Sequence, residues 1–424
     1  MNILTLTRAV LDQALREPGL SLDCPVGWSR WGDHKELVVG EPSGRPISEL
    51  FLRLMIGDDF SLPGSLPEYC AGLLVIGRGW RRGQAAGWID SGSGPEPVQR
   101  LKLVGTGMHV ISLEGGEPTP SPGPRGDPQF HLDPLERWSR TIGALGLDAW
   151  QRLVGLTYGL IGAGRTGSGL AQMMTEGWGI DRLMVVDPDL VESHNLGEMS
   201  GVDESDLGVP KAQAVASRLR ASSDRLDATI VLNSITDSRA LRAVQSCDVL
   251  FGCVDHDGAR LASSILAALF LKPYIDIASG VHGAARDRRM GADVRLVLPG
   301  RCLLCMGGLA NPGGARDALA SAERERSLSM ARDWRAERAG SLRSLNQLAA
   351  SVAARLWEDF IVERVSESTW ARIEIDPAGR IDVSYPRPAP IPLSCPVCRE
   401  AGAGESGLAL VSDMIREART NEPN

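Results

Sequence analysis

Four short apolar runs stand out in the middle of the chain: Thr157 to Ile161, Arg182 to Val186, Ala228 to Asn233 and Val249 to Cys253. None alternates polar with apolar residues as a half-solvated strand would, so each predicts a strand buried on both faces, the habit of a parallel sheet. The stretches between them have helical composition. Lys211 to Ala221, for example, follows Pro210, where a missing N–H costs nothing in the first helical turn. This alternation predicts an α/β fold, a Rossmann-like, mainly parallel sheet with helices on both faces built from right-handed βαβ units. Upstream, residues 1–113 mix runs such as Ala71 to Gly77 with turn residues, the pattern of a small α+β or mostly β N-terminal unit. Residues 114–134 hold the run Gly115-Gly116-Glu117-Pro118-Thr119-Pro120-Ser121-Pro122-Gly123-Pro124, which suits a linker because it sustains neither a helix nor a ladder. The main domain then covers 135–400, with 401–424 as a C-terminal tail. Within it, Ala315 to Arg338 is charged and short of apolar positions, which predicts a solvated helical excursion.

Composition narrows the function. In 424 residues, 45 Lys and Arg against 53 Asp and Glu give a net charge of −8, which speaks against a nucleic-acid binder, since phosphate neutralisation needs surplus cations. No window approaches the roughly 20 apolar residues of a membrane span, and the first residues, Met1-Asn2-Ile3-Leu4-Thr5, do not read as a secretion signal. A cytoplasmic protein with no membrane partner is expected. Four of the eight cysteines form two Cys-x-x-Cys pairs, which in a reducing compartment read as metal ligands.

The first buried run leads directly into Gly162-Ala163-Gly164-Arg165-Thr166-Gly167. A G-x-G-x-x-G between a strand and a helix permits a tight turn and offers backbone N–H groups to a phosphate, and Asp187, ending the next strand, can accept from ribose hydroxyls. Taken alone, the motif would suit a nicotinamide dehydrogenase. The residues beyond it point elsewhere: Asp187-Pro188-Asp189-Leu190-Val191-Glu192-Ser193-His194-Asn195-Leu196, then Gly208-Val209-Pro210-Lys211. In this order they resemble the ThiF/MoeB/HesA family, the adenylating domain of ubiquitin-activating-type enzymes, over about residues 136 to 400. The resemblance implies ATP and Mg²⁺ as the ligands. It assigns the nucleotide to Gly162, Gly164, Gly167, Asp187, Asp189, Asn195 and Lys211, Mg²⁺ to Asp255, and a phosphate contact from the neighbouring subunit of a homodimer to Arg140, in Arg137-Trp138-Ser139-Arg140. The chain departs from the family at Glu198, where an Arg is usual; either Arg165 supplies the missing charge or catalysis is weakened.

Cys302-x-x-Cys305 and Cys395-x-x-Cys398 predict one closed tetrahedral zinc site of structural rather than catalytic type. Cys24, Cys70, Cys247 and Cys253 read as core residues, and no two of the six histidines share a metal-ligand spacing. Between Cys305 and Cys395 there is no cysteine, so an acyl-adenylate is expected to pass directly to its acceptor without an enzyme thioester. The position and length of residues 1–113 resemble a degenerate JAB/MPN-like module; a recognition module of another fold is the alternative. The resemblance as a whole implies an adenylyltransferase activating the C-terminal carboxylate of a small ubiquitin-like or sulfur-carrier protein or a peptide. Modification of a bacteriocin-type peptide and a nucleotide-binding scaffold without turnover are the competing expectations.

Overall fold

The computed structural model describes residues 1–16, 22–31, 33–40, 51–56, 66, 70–76, 85–113, 134–282, 288–309, 342–388, 390–391 and 395–408. The Pro/Gly run at 115–124 and the charged stretch at 315–338 lie outside the described residues.

Two sheets form. The first comprises β1 (Asn2–Thr7), β2 (Leu22–Trp31), β3 (His34–Val39), β4 (Phe51–Ile56), β5 (Cys70–Ile76), β6 (Ala85–Asp90), β7 (Pro95–Pro97), β8 (Arg100–Gly105) and β9 (Gly107–Ser112). Their order is β7-β6-β5-β4-β2-β3-β1-β8-β9. It is a mixed sheet: β1 runs parallel to β3 and β8, and β4 to β5, while the other pairings are antiparallel. Helix α1 (Arg8–Arg16) sets Val10, Leu11 and Ala14 against Leu4, Leu6, Leu37, Leu52 and Leu101, giving this sheet its own core on one face.

The second sheet is preceded by α2 (Pro134–Arg137), α3 (Ser139–Leu145) and α4 (Leu147–Gly155). Five strands follow in βαβ fashion: β10 (Thr157–Ile161), β11 (Arg182–Val186), β12 (Asp227–Val231), β13 (Val249–Gly252) and β14 (Tyr274–His282). They are all parallel, in the order β12-β11-β10-β13-β14. The connecting helices are α5 (Arg165–Gln172), α6 (Lys211–Ser222), α7 (Ser238–Ala243) and α8 (Asp257–Leu269). Three antiparallel strands, β15 (Arg289–Val297), β16 (Thr369–Ile375) and β17 (Ile381–Ser384), widen the sheet beyond β14. Their polar alternation hid them from a search for continuous apolar runs, because one face carries Asp293, Arg295 and Arg372. Helix α9 (Arg343–Ile361) returns across the sheet.

Each face of the parallel strands has its own core. On one side α5, α6 and α9 bury Leu170, Val215, Ala353, Trp357 and Phe360 against Tyr158, Leu160 and Val185. On the other, α7 and α8 bury Ala240, Leu261, Ile265 and Leu269 against Ile161, Val186, Leu250 and Tyr274, and Cys302 and Cys395 join that cluster. Among the described residues no helix is long and apolar enough to cross a membrane.

The two sheets meet through buried charge. Lys102 on β8 lies 2.8 Å from Asp248, just before β13, and 3.5 Å from Glu36 on β3. Burial alone would lower the Lys102 pKa, but the two carboxylates outweigh it and hold the pKa above its ordinary value. Asp248, which also accepts from the Thr157 N–H at 2.8 Å, is held below the ordinary carboxylate range although burial opposes this. Residues 401–408, set apart by the sequence as a tail, pack between the end of α8 and strand β2.

Candidate functional site

The parallel strands bring the glycine loop, Asp187 and Asp255 to one edge of the sheet, because β11, β10 and β13 are neighbours and these residues follow their C-terminal ends. In open α/β sheets ligands bind at that edge, where the strand order reverses. Gly162 has φ +94°, and a Cβ there would stand 2.6 Å from the Cys253 carbonyl oxygen; Cys253 N–H in turn donates to Ile161 O at 2.7 Å. A Cβ on Gly167 would overlap the Gly162 carbonyl. Gly164 differs: nothing lies within 4 Å of its would-be Cβ. The first and third glycines are thus required by the protein's own packing, whereas the second opens onto the space above the loop, where a close-approaching phosphate would need a bare backbone.

The two kinds of glycine should separate on substitution. Gly162→Ala is expected to cost about 1–3 kcal/mol through the left-handed backbone and the clash. Gly164→Ala should leave the melting temperature near wild type and weaken nucleotide binding. Thermal denaturation and calorimetric titration of both variants check this; equal destabilisation by the two would contradict it.

Asp187 is buried, with Oδ2 accepting from Ala163 N–H (2.7 Å) and Oδ1 from Asp189 N–H (2.8 Å). It therefore fixes the loop while retaining lone pairs for a further donor. Burial raises its pKa, an effect that Lys211 opposes. Lys211, at the start of α6, donates to Asp189 at 2.9 Å, and its backbone N–H to Asp189 O at 2.8 Å. Asn195 is buried, and its side-chain oxygen accepts from Glu192 N–H (2.9 Å) in a capping box around the 3₁₀ turn Ser193–Asn195. Asp255 is exposed in the turn between β13 and α8, and a hard carboxylate oxygen so placed suits Mg²⁺.

Arg140, expected to serve the neighbouring subunit's site, and Glu198 complete the set from the sequence reading. Arg140 does not reach this edge. Its helix is pinned at the far end of the α5 run, where Trp138 donates to Glu176 O (3.2 Å), Thr141 donates to Gly177 O (3.1 Å), and the Trp138 ring covers Gly179. Residues Arg165 to Trp178 form one helical run, α5 passing into a π-helical segment, and at 1.5 Å per residue that separates Arg140 from the glycine loop by about 20 Å. Glu198 lies in the loop after Asn195, and its Oε2 is buried with no hydrogen-bond partner among the described residues. The same loop is held by Ser200 N–H donating to Ser168 Oγ (2.9 Å) and by Arg343 of α9 donating to Gly197 O (3.0 Å).

Sequence reasoning missed a buried charge network beside this edge. Asp276 on β14, fully buried, accepts Arg260 Nε at 2.9 Å and Nη2 at 2.5 Å, Arg295 Nη1 at 3.2 Å and the Tyr274 hydroxyl at 3.3 Å. Arg260 also donates to Asp257 at 3.1 Å, which ties the first turn of α8, directly after Asp255, to the sheet. Two signals were available: a charge inside the apolar run Tyr274-Ile275-Asp276-Ile277, and a cation in a first helical turn, where the dipole disfavours it.

The four cysteines do come together. Cys302 and Cys395 sulfurs lie 3.6 Å apart, as do those of Cys305 and Cys398, and all four fall within 4.8 Å of one another. Tetrahedral zinc with Zn–S near 2.3 Å requires sulfurs about 3.8 Å apart, so the donor set and spacing fit that ion. The Cys302 pKa is drawn down to about 6, chiefly by its hydrogen bond with Cys398. The other four cysteines show no such grouping. Cys24 and Cys247 are each pushed up to about 12 by burial, and Cys70 and Cys253 are raised for the same reason. One zinc per chain is expected by metal analysis, and Cys395→Ser should lose the metal and melt at lower temperature; a variant with unchanged zinc and melting would contradict the assignment.

The fold and these residues define a doubly wound α/β domain with a glycine loop at its strand ends and a four-cysteine centre. Residues 138–320 match the model of the ThiF family. The chain's curated relatives are distant. The adenylyltransferase and sulfurtransferase MOCS3 of Mus musculus is 27% identical over 183 residues, 43% of this chain and 36% of that protein. The SAMP-activating enzyme E1 of Haloferax volcanii is 28% identical over 174 residues, 41% of this chain and 62% of that protein. The chain thus matches only about a third of MOCS3. Among solved structures, E. coli MccB with ATP superposes with a TM-score of 0.47 at 19% identity, over 65% of this chain and 76% of that one.

Proposed function

We propose that this protein is an ATP-dependent adenylyltransferase that activates the C-terminal carboxylate of a small protein or peptide. The observation that carries this reading is the bare Gly164 backbone beside Asp187, Asp189 and Lys211, at the sheet edge that also bears Asp255. The carboxylate oxygen attacks the α-phosphorus, a P–O bond forms, and the bond to pyrophosphate breaks. The attacking group is already ionised, so the side chains' work is positioning and charge stabilisation, with no general base. Gly162, Gly164 and Gly167 shape the phosphate loop, Asp187 accepts from ribose, Asn195 and Lys211 meet the phosphates, and Asp255 holds Mg²⁺, which supplies charge neutralisation. Arg343 at Gly197 brings positive charge to the loop that carries Glu198, which favours turnover over a scaffold role. No nucleophilic cysteine is assigned; with the Cys253 thiol pKa raised by desolvation, the adenylate passes directly to a separate acceptor. The Haloferax volcanii relative is by name an enzyme that activates SAMP; a small carrier protein or a short peptide is the proposed substrate class.

Exchange of labelled pyrophosphate into ATP in the presence of the cognate carboxylate tests the activity. Tight binding of NAD with none of ATP would exclude the reading. The position of Arg140 makes a homodimer part of it. Arg140→Ala and Asp255→Asn proteins, each inactive, should regain activity when their subunits are mixed, because one site of the hybrid then has both residues. A mixture that stays inactive would remove Arg140 from the partner's site.

A further inference from the structure

Among the described residues, strand β2 between Val26 and Trp31 is paired with β3 on one side only, since its pairing with β4 reaches no further than Pro25. An open strand edge is a liability unless it is covered, and residues 401–405 cover this one. The backbone N–H of Arg30 donates to the Glu405 carboxylate at 2.9 Å. On its other side the segment is fixed to α8, with Gly402 N–H donating to Ala268 O at 3.1 Å. The approach is backbone on backbone. A Cβ on Gly27 would overlap the backbone of Ala403; one on Gly402 would stand 2.6 Å from Gly40 Cα, and one on Gly404 2.5 Å from Trp28 O. Gly402 and Gly404 also have φ of +81° and +57°, so this path suits no other residue well.

Such a fit exists only while the backbone path of 399–405 is held. Four residues before Gly402 stands Cys398, and with Cys395 it joins Cys302 and Cys305, which follow β15. The two knuckles are 93 positions apart in the chain. Without a metal, the second knuckle is held by weak thiol hydrogen bonds and by the packing of Cys395 and Val397 in the core beside α8; with one, four metal–sulfur bonds fix it as well.

We propose that the four-cysteine centre is a latch. Metal in it holds residues 395–405 in the shape that seals the β2 edge and fastens the N-terminal sheet to the nucleotide-binding domain, and metal loss opens that seal while strands β10 to β17 stay folded. The test is hydrogen exchange on the full chain with and without a zinc chelator. Chelation should speed exchange at the amides of Arg30 and Gly402 by at least about tenfold while Gly162 and Cys253 remain protected. Gly27→Val, which blocks the fit, should keep its zinc and show the same fast exchange at Arg30; Glu405→Ala should release Arg30 alone. Unchanged protection at Arg30 after chelation overturns the latch, as does a zinc-loaded Gly27→Val with Arg30 still protected. Loss of protection at Gly162 as well would make the centre a support of the whole fold, which also overturns it. None of these readouts depends on adenylation.

Discussion

Lys102→Met is expected to destabilise the protein by about 3–5 kcal/mol at neutral pH, because it leaves Asp248 and Glu36 buried without their shared cation. Asp248 keeps one backbone N–H donor, from Thr157, whereas Glu36 Oε2 already has no hydrogen-bond partner among the described residues. The pH dependence follows from the direction of each shift. Asp248 has a folded pKa below its unfolded value, so its share of the stability is present above about pH 4 and is lost as pH falls through the folded pKa. Lys102 has a folded pKa above its unfolded value, so its share is complete below about pH 10 and is lost as pH rises through the folded pKa. The gap in stability between wild type and Lys102→Met should therefore be widest from about pH 5 to 9 and narrow in acid. Urea denaturation at a series of pH values measures it; a gap below about 1 kcal/mol at pH 7 would mean that the network contributes no more than a surface ion pair.

The second large effect is on the proposed chemistry. Asp255→Asn is expected to lower pyrophosphate exchange by about 10²- to 10³-fold, the usual loss when a group stabilising transition-state charge is removed. Melting temperature and zinc content should not change, because the side chain is exposed in a turn rather than packed in either core. Raising Mg²⁺ should restore part of the rate if the carboxylate acts through the ion. A variant with wild-type exchange would take Asp255 out of the site, and one that loses exchange only together with its fold would show a structural role instead.

Much of the half that carries the second sheet is legible in the sequence alone. The runs at 157–161 and 182–186 are strands with the bounds read from the chain, those at 228–233 and 249–253 are strands shifted or shortened by one or two residues, and the helix after Pro210 begins at Lys211. Continuous apolar runs report burial on both faces, and a parallel strand between two helical layers is buried in just that way. The glycine motif and the cysteine pairs were legible for a similar reason, since their chemistry depends on spacing within a few residues. Local pattern failed at β15 to β17, whose one polar face alternates with an apolar one and so resembles loop.

Other features belong to the tertiary structure alone. Lys102, Glu36 and Asp248 lie on three separate elements, and nothing near any one of them announces the other two. Arg260 and Asp276 meet only because α8 folds back beside β14, and the separation of Arg140 from its own glycine loop follows from the length of the helix between them. Residues 401–405 read as a tail because their glycines signal only conformational freedom; the strand edge that uses that freedom is nearly four hundred positions upstream. Sequence by itself determined the alternating core and the short-range chemistry of the loop and the knuckles, since those are set by residues that are neighbours in the chain. Which charges pair, and which backbone covers which edge, was decided by the packing of the two sheets, because contacts at long separation leave no local periodicity to read.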